Sequence, residues 1–152
     1  MTSSKQLFKF AAGLSFAVAL FQTVITFFPL WSLYFGAPKE LVSNVPMLYV
    51  TGLIAAVIFG VFGLYAMAGA GYIRSLPLLR FGLLGIGGVY TLRGLLVIPL
   101  LLIMTGILQS SEAIPPQGLA SSLVSLFIGI LYLVGTITGW HELQSRTKKY
   151  AA

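Results

Sequence analysis

Arg93 is the side chain in this 152-residue chain best suited to bind or move a charged group. It stands near the middle of a long apolar stretch, where an arginine costs about 2.5–3.5 kcal/mol to insert into a bilayer. Its guanidinium stays charged even there. No Asp or Glu lies within the apolar stretches, so the sequence provides no internal counter-charge. A mid-membrane cation of this kind predicts an anion, a quinone carbonyl, a lipid headgroup or a partner protein's carboxylate as its ligand.

Neutral polar residues at matching depth complete the predicted site. Gln22 is the most polar residue of the first apolar stretch, and Tyr90, Ser125 and Tyr132 lie in the third and fourth. With Arg93 they form a candidate ligand-binding or helix-packing site. In the packing interpretation, neutral acceptors and water satisfy Arg93, which then holds helices together.

Residue counts exclude most catalytic and cofactor chemistry. The chain has no cysteine, one histidine (His141) and three acids, Glu40, Glu112 and Glu142. A zinc site needs three or four N, S or O ligands, and general acid–base catalysis needs positioned titratable groups. We therefore expect no enzyme activity, no catalytic residue, no metal and no cofactor.

Four apolar stretches must position these side chains. Mean hydropathy is +0.98 and only 8% of residues are charged, against about 25% in soluble domains. A spanning helix needs about 20 apolar residues, and such helices are predicted at about 7–35, 47–70, 78–106 and 119–140. A short basic cytoplasmic tail follows at 141–152. Short connections favour antiparallel neighbours, so the predicted fold is all-α, one membrane domain over 1–152 built as a four-helix antiparallel bundle.

The basic residues predict the orientation of this bundle. Of the nine Lys and Arg, seven fall on the side that holds both termini, and Lys39 alone falls on the other. The positive-inside rule then places both termini in the cytoplasm. The +6 net charge follows this topology and is not a nucleic-acid footprint. The seven residues are Lys5, Lys9, Arg74, Arg80, Arg146, Lys148 and Lys149.

Small residues recur at the spacing of helix contacts, which lets helix backbones approach closely. They predict tight packing among the second, third and fourth helices, or a homodimer. The motifs are Ala56-x-x-x-Gly60, the run Gly82, Gly85 and Gly88, then Ser121-x-x-x-Ser125-x-x-x-Gly129 and Gly135-x-x-x-Gly139.

An internal similarity relates the two halves of the chain. Lys9 and Arg80 open the first and third helices, and 13 residues later come Gln22 and Arg93. A duplication would be parallel, about an axis along the membrane normal. Chance similarity is the alternative.

One segment carries a family resemblance. The run Gly63-Leu-Tyr-Ala-Met-Ala-Gly-Ala-Gly-Tyr-Ile-Arg-Ser-Leu-Pro-Leu-Leu-Arg80, continued by Tyr90-Thr-Leu-Arg-Gly94, resembles small four-helix bacterial inner-membrane proteins that have no assigned activity. The resemblance covers the second helix, the following loop and half of the third helix. It implies a multi-pass protein of the bacterial inner membrane, and it implies no activity.

Two function classes remain. The favoured one is a non-catalytic accessory or scaffold subunit, because acids, histidines and cysteines are scarce or absent and small-residue faces are plentiful. The alternative is a small transporter or channel for an anion, or for an apolar solute with an anionic head, centred on Arg93. The expected partners are the lipid bilayer and either a second copy or a larger membrane complex, with no nucleic acid.

Overall fold

Four apolar helices dominate the computed structural model, which describes residues 2–35, 37–107 and 116–151. The stretches long and apolar enough to cross a membrane are Ser4–Thr26, Val45–Ala70, Leu79–Met104 and Gln117–Thr138. The predicted all-helical fold with four spans is confirmed over this part of the chain. The helices are α1 (Thr2–Thr26), α2 (Pro29–Tyr34), α3 (Lys39–Ser43), α4 (Val45–Ala70), α5 (Leu79–Leu95), α6 (Val97–Met104), α7 (Pro116–Thr138) and α8 (Trp140–Ala151).

The first and last predicted segments differ from those observed. The stretch predicted at 7–35 is two helices, because Phe28 adopts an extended conformation (φ −118°, ψ 91°) immediately before Pro29 starts α2. Proline is tolerated at a helix start because its missing N–H needs no partner there. The segment predicted as a tail at 141–152 is helical over its described part, within α8 (Trp140–Ala151).

The third span is divided at Leu96, beside Arg93. Pro99 has no N–H to donate to the carbonyl of Leu95, which removes one bond of the helical ladder. The backbone N–H of Leu96 bonds the carbonyl of Arg93 at 3.3 Å, a tighter turn than an α-helix makes. The predicted helix 78–106 is therefore the pair α5 and α6.

The spans pack as two close pairs, α1 with α4 and α5 with α7. Glycines lie at both contacts: a Cβ at Gly52 would collide with Thr26, and one at Gly94 would collide with the backbone of Leu126. The predicted tight packing is therefore confirmed for the third helix with the fourth. The second helix packs mainly on α1, against which Gly52 and Gly63 lie, and approaches α5 closely where a Cβ at Gly82 would collide with Tyr65.

The buried core that joins the two pairs lies toward one end of the bundle. Phe8, Leu79, Leu83 and Leu143 are at most 2% exposed and belong to one apolar cluster. They come from the start of α1, the start of α5 and from α8. The helix pairs are therefore held together most firmly where these segments meet.

Basic residues gather at this same end, which we call the basic end; the opposite end is the far end. The contacts there join the start of α1, the start of α5 and the residues that follow α4 and α7. They are Lys5 Nζ to Glu142 Oε1 at 3.2 Å, the Arg80 guanidinium 4.8 Å from the Trp140 ring centre, and Lys9 Nζ 5.7 Å from the Tyr72 ring centre. Glu112 and the side chains of Arg146, Lys148 and Lys149 lie outside the described residues.

Candidate ligand-binding site

A cavity of about 560 Å³ lies between the two helix pairs. We call it the central cavity. Its walls come from the second half of α1, the first halves of α4 and α7, and the end of α5, so it occupies the far half of the bundle. Protein sites for small molecules commonly enclose about 300–1,000 Å³, so the central cavity is of ligand size.

Four of the predicted site residues line the central cavity. Gln22 comes from α1, Tyr90 and Arg93 from α5, and Ser125 from α7. Tyr90 and Ser125 are buried, Gln22 is half-buried and Arg93 is exposed. The fold thus brings side chains from three helices to one space.

Tyr132, the fifth predicted residue, supports the site without lining it. Its ring stacks on that of Tyr90, with centroids 5.9 Å apart and planes 19° apart. Its hydroxyl donates to the carbonyl of Phe62 at 2.7 Å and accepts from Ser15 Oγ at 2.9 Å. Tyr132 therefore ties α7 to α4 and α1, and its ring packs against one face of the Tyr90 ring.

The hydroxyl of Tyr90 is left without a partner. It is buried and makes no hydrogen bond with any described residue. The Oγ of the neighbouring Ser15 bonds Tyr132 and keeps a lone pair that is free to accept from Tyr90. The ring of Tyr90 lines the central cavity, whereas its hydroxyl lies beside Ser15 and is closed off from that space.

The guanidinium of Arg93 is also unpaired. Within the described ranges it forms neither an ion pair nor a hydrogen bond. It lines the central cavity and, on its other side, a space of about 360 Å³ between α6 and α7. None of the lining residues that the structure describes is acidic in either space. The charge of Arg93 is therefore available to a ligand in these spaces.

Gln117 is a site residue that the sequence interpretation missed. Its Nε2 donates to the carbonyl of Tyr34 at 2.7 Å, which joins the first turn of α7 to α2. Its Oε1 is buried and has no hydrogen-bond partner among the described residues. The N–H groups of a helix's first turn lack intrahelical partners and carry partial positive charge. This end of α7 therefore adds to the positive potential of Arg93.

Aromatic residues were missed as well. Phe21 and Phe35 meet edge to face, with ring centroids 4.9 Å apart, and both line the central cavity. Phe59 lines it too and stacks on Tyr90 at 5.9 Å. In a sequence with this many aromatic residues, no local pattern separates these rings from those that face lipid.

Fold and site together define a helical membrane protein with a mixed apolar and cationic cavity between its spans. The described residues contain no group of three or more His, Cys, Asp or Glu that could hold a metal ion. No family model, curated protein or solved structure matches the chain.

Proposed function

We propose that this protein is a membrane carrier for apolar molecules with an anionic head group, which Arg93 binds in the central cavity. One observation carries the proposal: Arg93 shares a ligand-sized cavity with Gln22, Tyr90 and Ser125, and none of the described residues that line it is acidic. The guanidinium of Arg93 supplies charged N–H donors for a ligand oxygen. Charge-assisted hydrogen bonds from such donors are the strong ones in proteins.

An amphipathic ligand fits the central cavity better than a small inorganic anion. Apart from the polar groups near Arg93, the walls are largely apolar, with Leu14, Val18, Phe59 and Val124 among them. A volume of about 560 Å³ has room for about 19 groups of water or methylene size, at about 30 Å³ each. An inorganic anion alone would leave most of these walls without a contact.

We infer that the four spans form an antiparallel bundle. Support comes from the order of contacts between α1 and α4. A Cβ at Gly52, Gly63 or Gly69 would meet Thr26, Phe16 or Phe8 respectively, so residue numbers rise on one helix as they fall on the other.

We infer in addition that both termini face the cytoplasm of a bacterium. The contacts of Lys5, Lys9 and Arg80 lie at the basic end, whereas Lys39 belongs to α3 between the far ends of α1 and α4. Basic residues concentrate on the cytoplasmic side of membrane proteins. The resemblance of segment 63–80 to bacterial inner-membrane proteins supports that membrane.

The orientation is testable because the chain has no cysteine. Single substitutions Ser43→Cys at the far end and Ser75→Cys at the basic end are labelled in spheroplasts with a membrane-impermeant maleimide. We expect labelling of the Ser43→Cys chain in intact spheroplasts and of the Ser75→Cys chain only after lysis. The reverse pattern would contradict the inferred orientation.

Binding is measured by quenching of one tryptophan in the central cavity. Phe59→Trp is introduced into a chain whose two native tryptophans, Trp31 and Trp140, are replaced by Phe. The protein is placed in phosphatidylcholine nanodiscs and titrated with nitroxide-labelled stearate. The methyl ester of the same molecule controls for the need for an anionic head.

Arg93→Gln should weaken saturable stearate quenching about tenfold or more, because a hydrogen bond to a charged group contributes about 1.5–3 kcal/mol. The affinity of Arg93→Lys for stearate should lie between those of the Arg93 chain and Arg93→Gln, since Lys keeps the charge and lacks the planar fork of the guanidinium. Lys39→Gln removes an equal charge outside the central cavity and should leave the affinity unchanged. Equal binding by the Arg93→Gln variant and the native chain would refute the proposed function.

Outward-facing glycines support a second candidate function, the accessory or self-associating subunit. A Cβ at Gly13, Gly60, Gly85 or Gly88 would meet no atom within 4 Å, so these surfaces are free to receive another helix. Mass determination of the intact complex in gentle detergent tests this candidate. A stoichiometric foreign partner would favour it, and a monomer would count against it.

A further inference from the structure

A second space adjoins the central cavity at Arg93. It measures about 360 Å³ and lies between α6 and the first two turns of α7. We call it the side groove. Arg93 and Ser121 line both spaces, so these two residues stand between the central cavity and the side groove. The other described residues that line the side groove are Leu96, Pro99, Leu100, Ile103, Gly118 and Ser122.

The side groove has a local cause in the chain. α5 packs closely along α7, whereas α6 contacts α7 much less. The change comes at the break beside Leu96, where Pro99 interrupts the hydrogen-bond ladder. On the α7 side, Gly118 has no side chain to fill the gap, and a Cβ there would meet no atom within 4 Å. The gap between α6 and α7 is therefore built into the backbone.

The outer wall of the side groove faces the hydrocarbon of the bilayer. Two residues that line it, Leu96 and Pro99, are apolar and exposed, Leu96 to 56%. In a membrane-spanning segment such residues contact lipid chains. The side groove thus connects the bilayer, through Arg93, with the central cavity.

Aromatic contacts lie at both ends of the central cavity. At the far end, the lining rings of Phe21 and Phe35 contact each other edge to face, and Gln117 is bonded to Tyr34. Toward the basic end, the ring of Tyr90 lines the cavity and stacks on Tyr132. The side groove has exposed apolar residues in its wall and meets the central cavity at Arg93.

We propose that the ligand reaches the central cavity sideways from the bilayer, through the side groove. This route indicates the class of ligand, which is a membrane-dissolved, single-chain amphiphile with an anionic head group, such as a carboxylate or a phosphate monoester. Arg93 receives the head group as it leaves the bilayer, and the chain occupies the central cavity. This inference rests on the proposed function and specifies its substrate class and its route.

The test blocks the side groove and measures rates in the tryptophan-quenching assay. Gly118→Phe fills the side groove without lining the central cavity. The matched control, Gly85→Phe, adds the same side chain to an exposed glycine of α5 that lines neither space. Gly118→Leu is the smaller variant to use if Gly118→Phe fails to fold.

We expect the Gly118 variants to slow both association and dissociation of nitroxide-labelled stearate by about tenfold, with an affinity close to native. Gly85→Phe should keep native rates. Equal rates for the Gly118 and Gly85 variants would overturn the lateral route, while saturable, Arg93-dependent binding would still support the proposed function. Absence of saturable quenching in the Phe59→Trp reporter chain that keeps Arg93 and Gly118 would overturn both proposals.

A competition measurement separates a membrane-dissolved ligand from a water-borne anion. Unlabelled palmitate should displace the labelled stearate, and millimolar inorganic phosphate should not. Displacement by phosphate as effective as that by palmitate would overturn the lipid class and leave Arg93 as an anion site.

Discussion

Replacing Gly94 by alanine tests the contact that holds α5 against α7. A Cβ at Gly94 would lie 2.5 Å from the Cα, Cβ and backbone N atoms of Leu126. Carbon atoms in contact normally lie about 3.5–4.0 Å apart. Two of the three atoms belong to the backbone, so no change of side-chain rotamer relieves the collision. The helices must separate locally by about 1 Å.

The expected magnitude follows from a comparison with Gly85→Ala. Both substitutions gain about 1 kcal/mol of helix propensity, and this gain cancels between them. A Cβ at Gly85 meets no atom within 4 Å, so the difference is the steric cost at Gly94. Overpacking of a close contact costs about 1–3 kcal/mol. Gly94→Ala should therefore be less stable than Gly85→Ala by about 1–3 kcal/mol.

Reversible unfolding by sodium dodecyl sulfate in dodecyl maltoside micelles, followed by circular dichroism, measures this difference. Gly94→Ala should unfold at a lower mole fraction of the denaturing detergent than Gly85→Ala. Coincident unfolding curves would refute the close approach of α5 and α7 at this position. A shift shared equally by both variants would point to helix propensity alone.

Three further predictions use the same unfolding assay. Tyr132→Phe should destabilise by about 1 kcal/mol or more, because it removes a buried link between three helices and leaves Ser15 unpaired; an unchanged midpoint would contradict this. Arg93→Leu should stabilise by up to about 2.5–3.5 kcal/mol, the insertion cost of the arginine, while abolishing stearate binding. A loss of stability would instead identify Arg93 as a packing residue. A double-mutant cycle on Lys5 and Glu142 should give a coupling below about 1 kcal/mol that falls with salt.

The four spans could be predicted from composition. Long apolar runs specify spans because each residue adds its own transfer free energy. The breaks at Pro29 and Pro99 divide the predicted helices 7–35 and 78–106, and they depend on the conformation of Phe28 and on the loss of the Leu95 bond. The basic charge of the C-terminal segment predicted a tail, whereas the helix α8 depends on its amphipathic pattern.

The sequence predicted most of the polar residues of the candidate site, but not how the helices arrange them around a cavity. Arg93, Gln22, Tyr90 and Ser125 stood out as polar residues within apolar runs, and they do line one cavity. Gln22 and Arg93 hold equivalent positions in the predicted internal duplication. That both line the central cavity favours the duplication, which stays a hypothesis. Gln117 and Phe59 could not be predicted, since their role depends on which neighbours they meet.

Sequence alone determined that the chain has four segments long and apolar enough to cross a membrane, and where its charges concentrate, because both depend on the summed transfer properties of short runs. Tertiary structure decided that α1 pairs with α4 and α5 with α7, that the pairs part at the far end, and that Arg93 is left facing open space. The physical reason is that lipid is as apolar as the helix surfaces, so hydrophobicity does not select which faces meet. Shape selects them, through the close approach at Gly52 and Gly94 and the missing bond at Pro99.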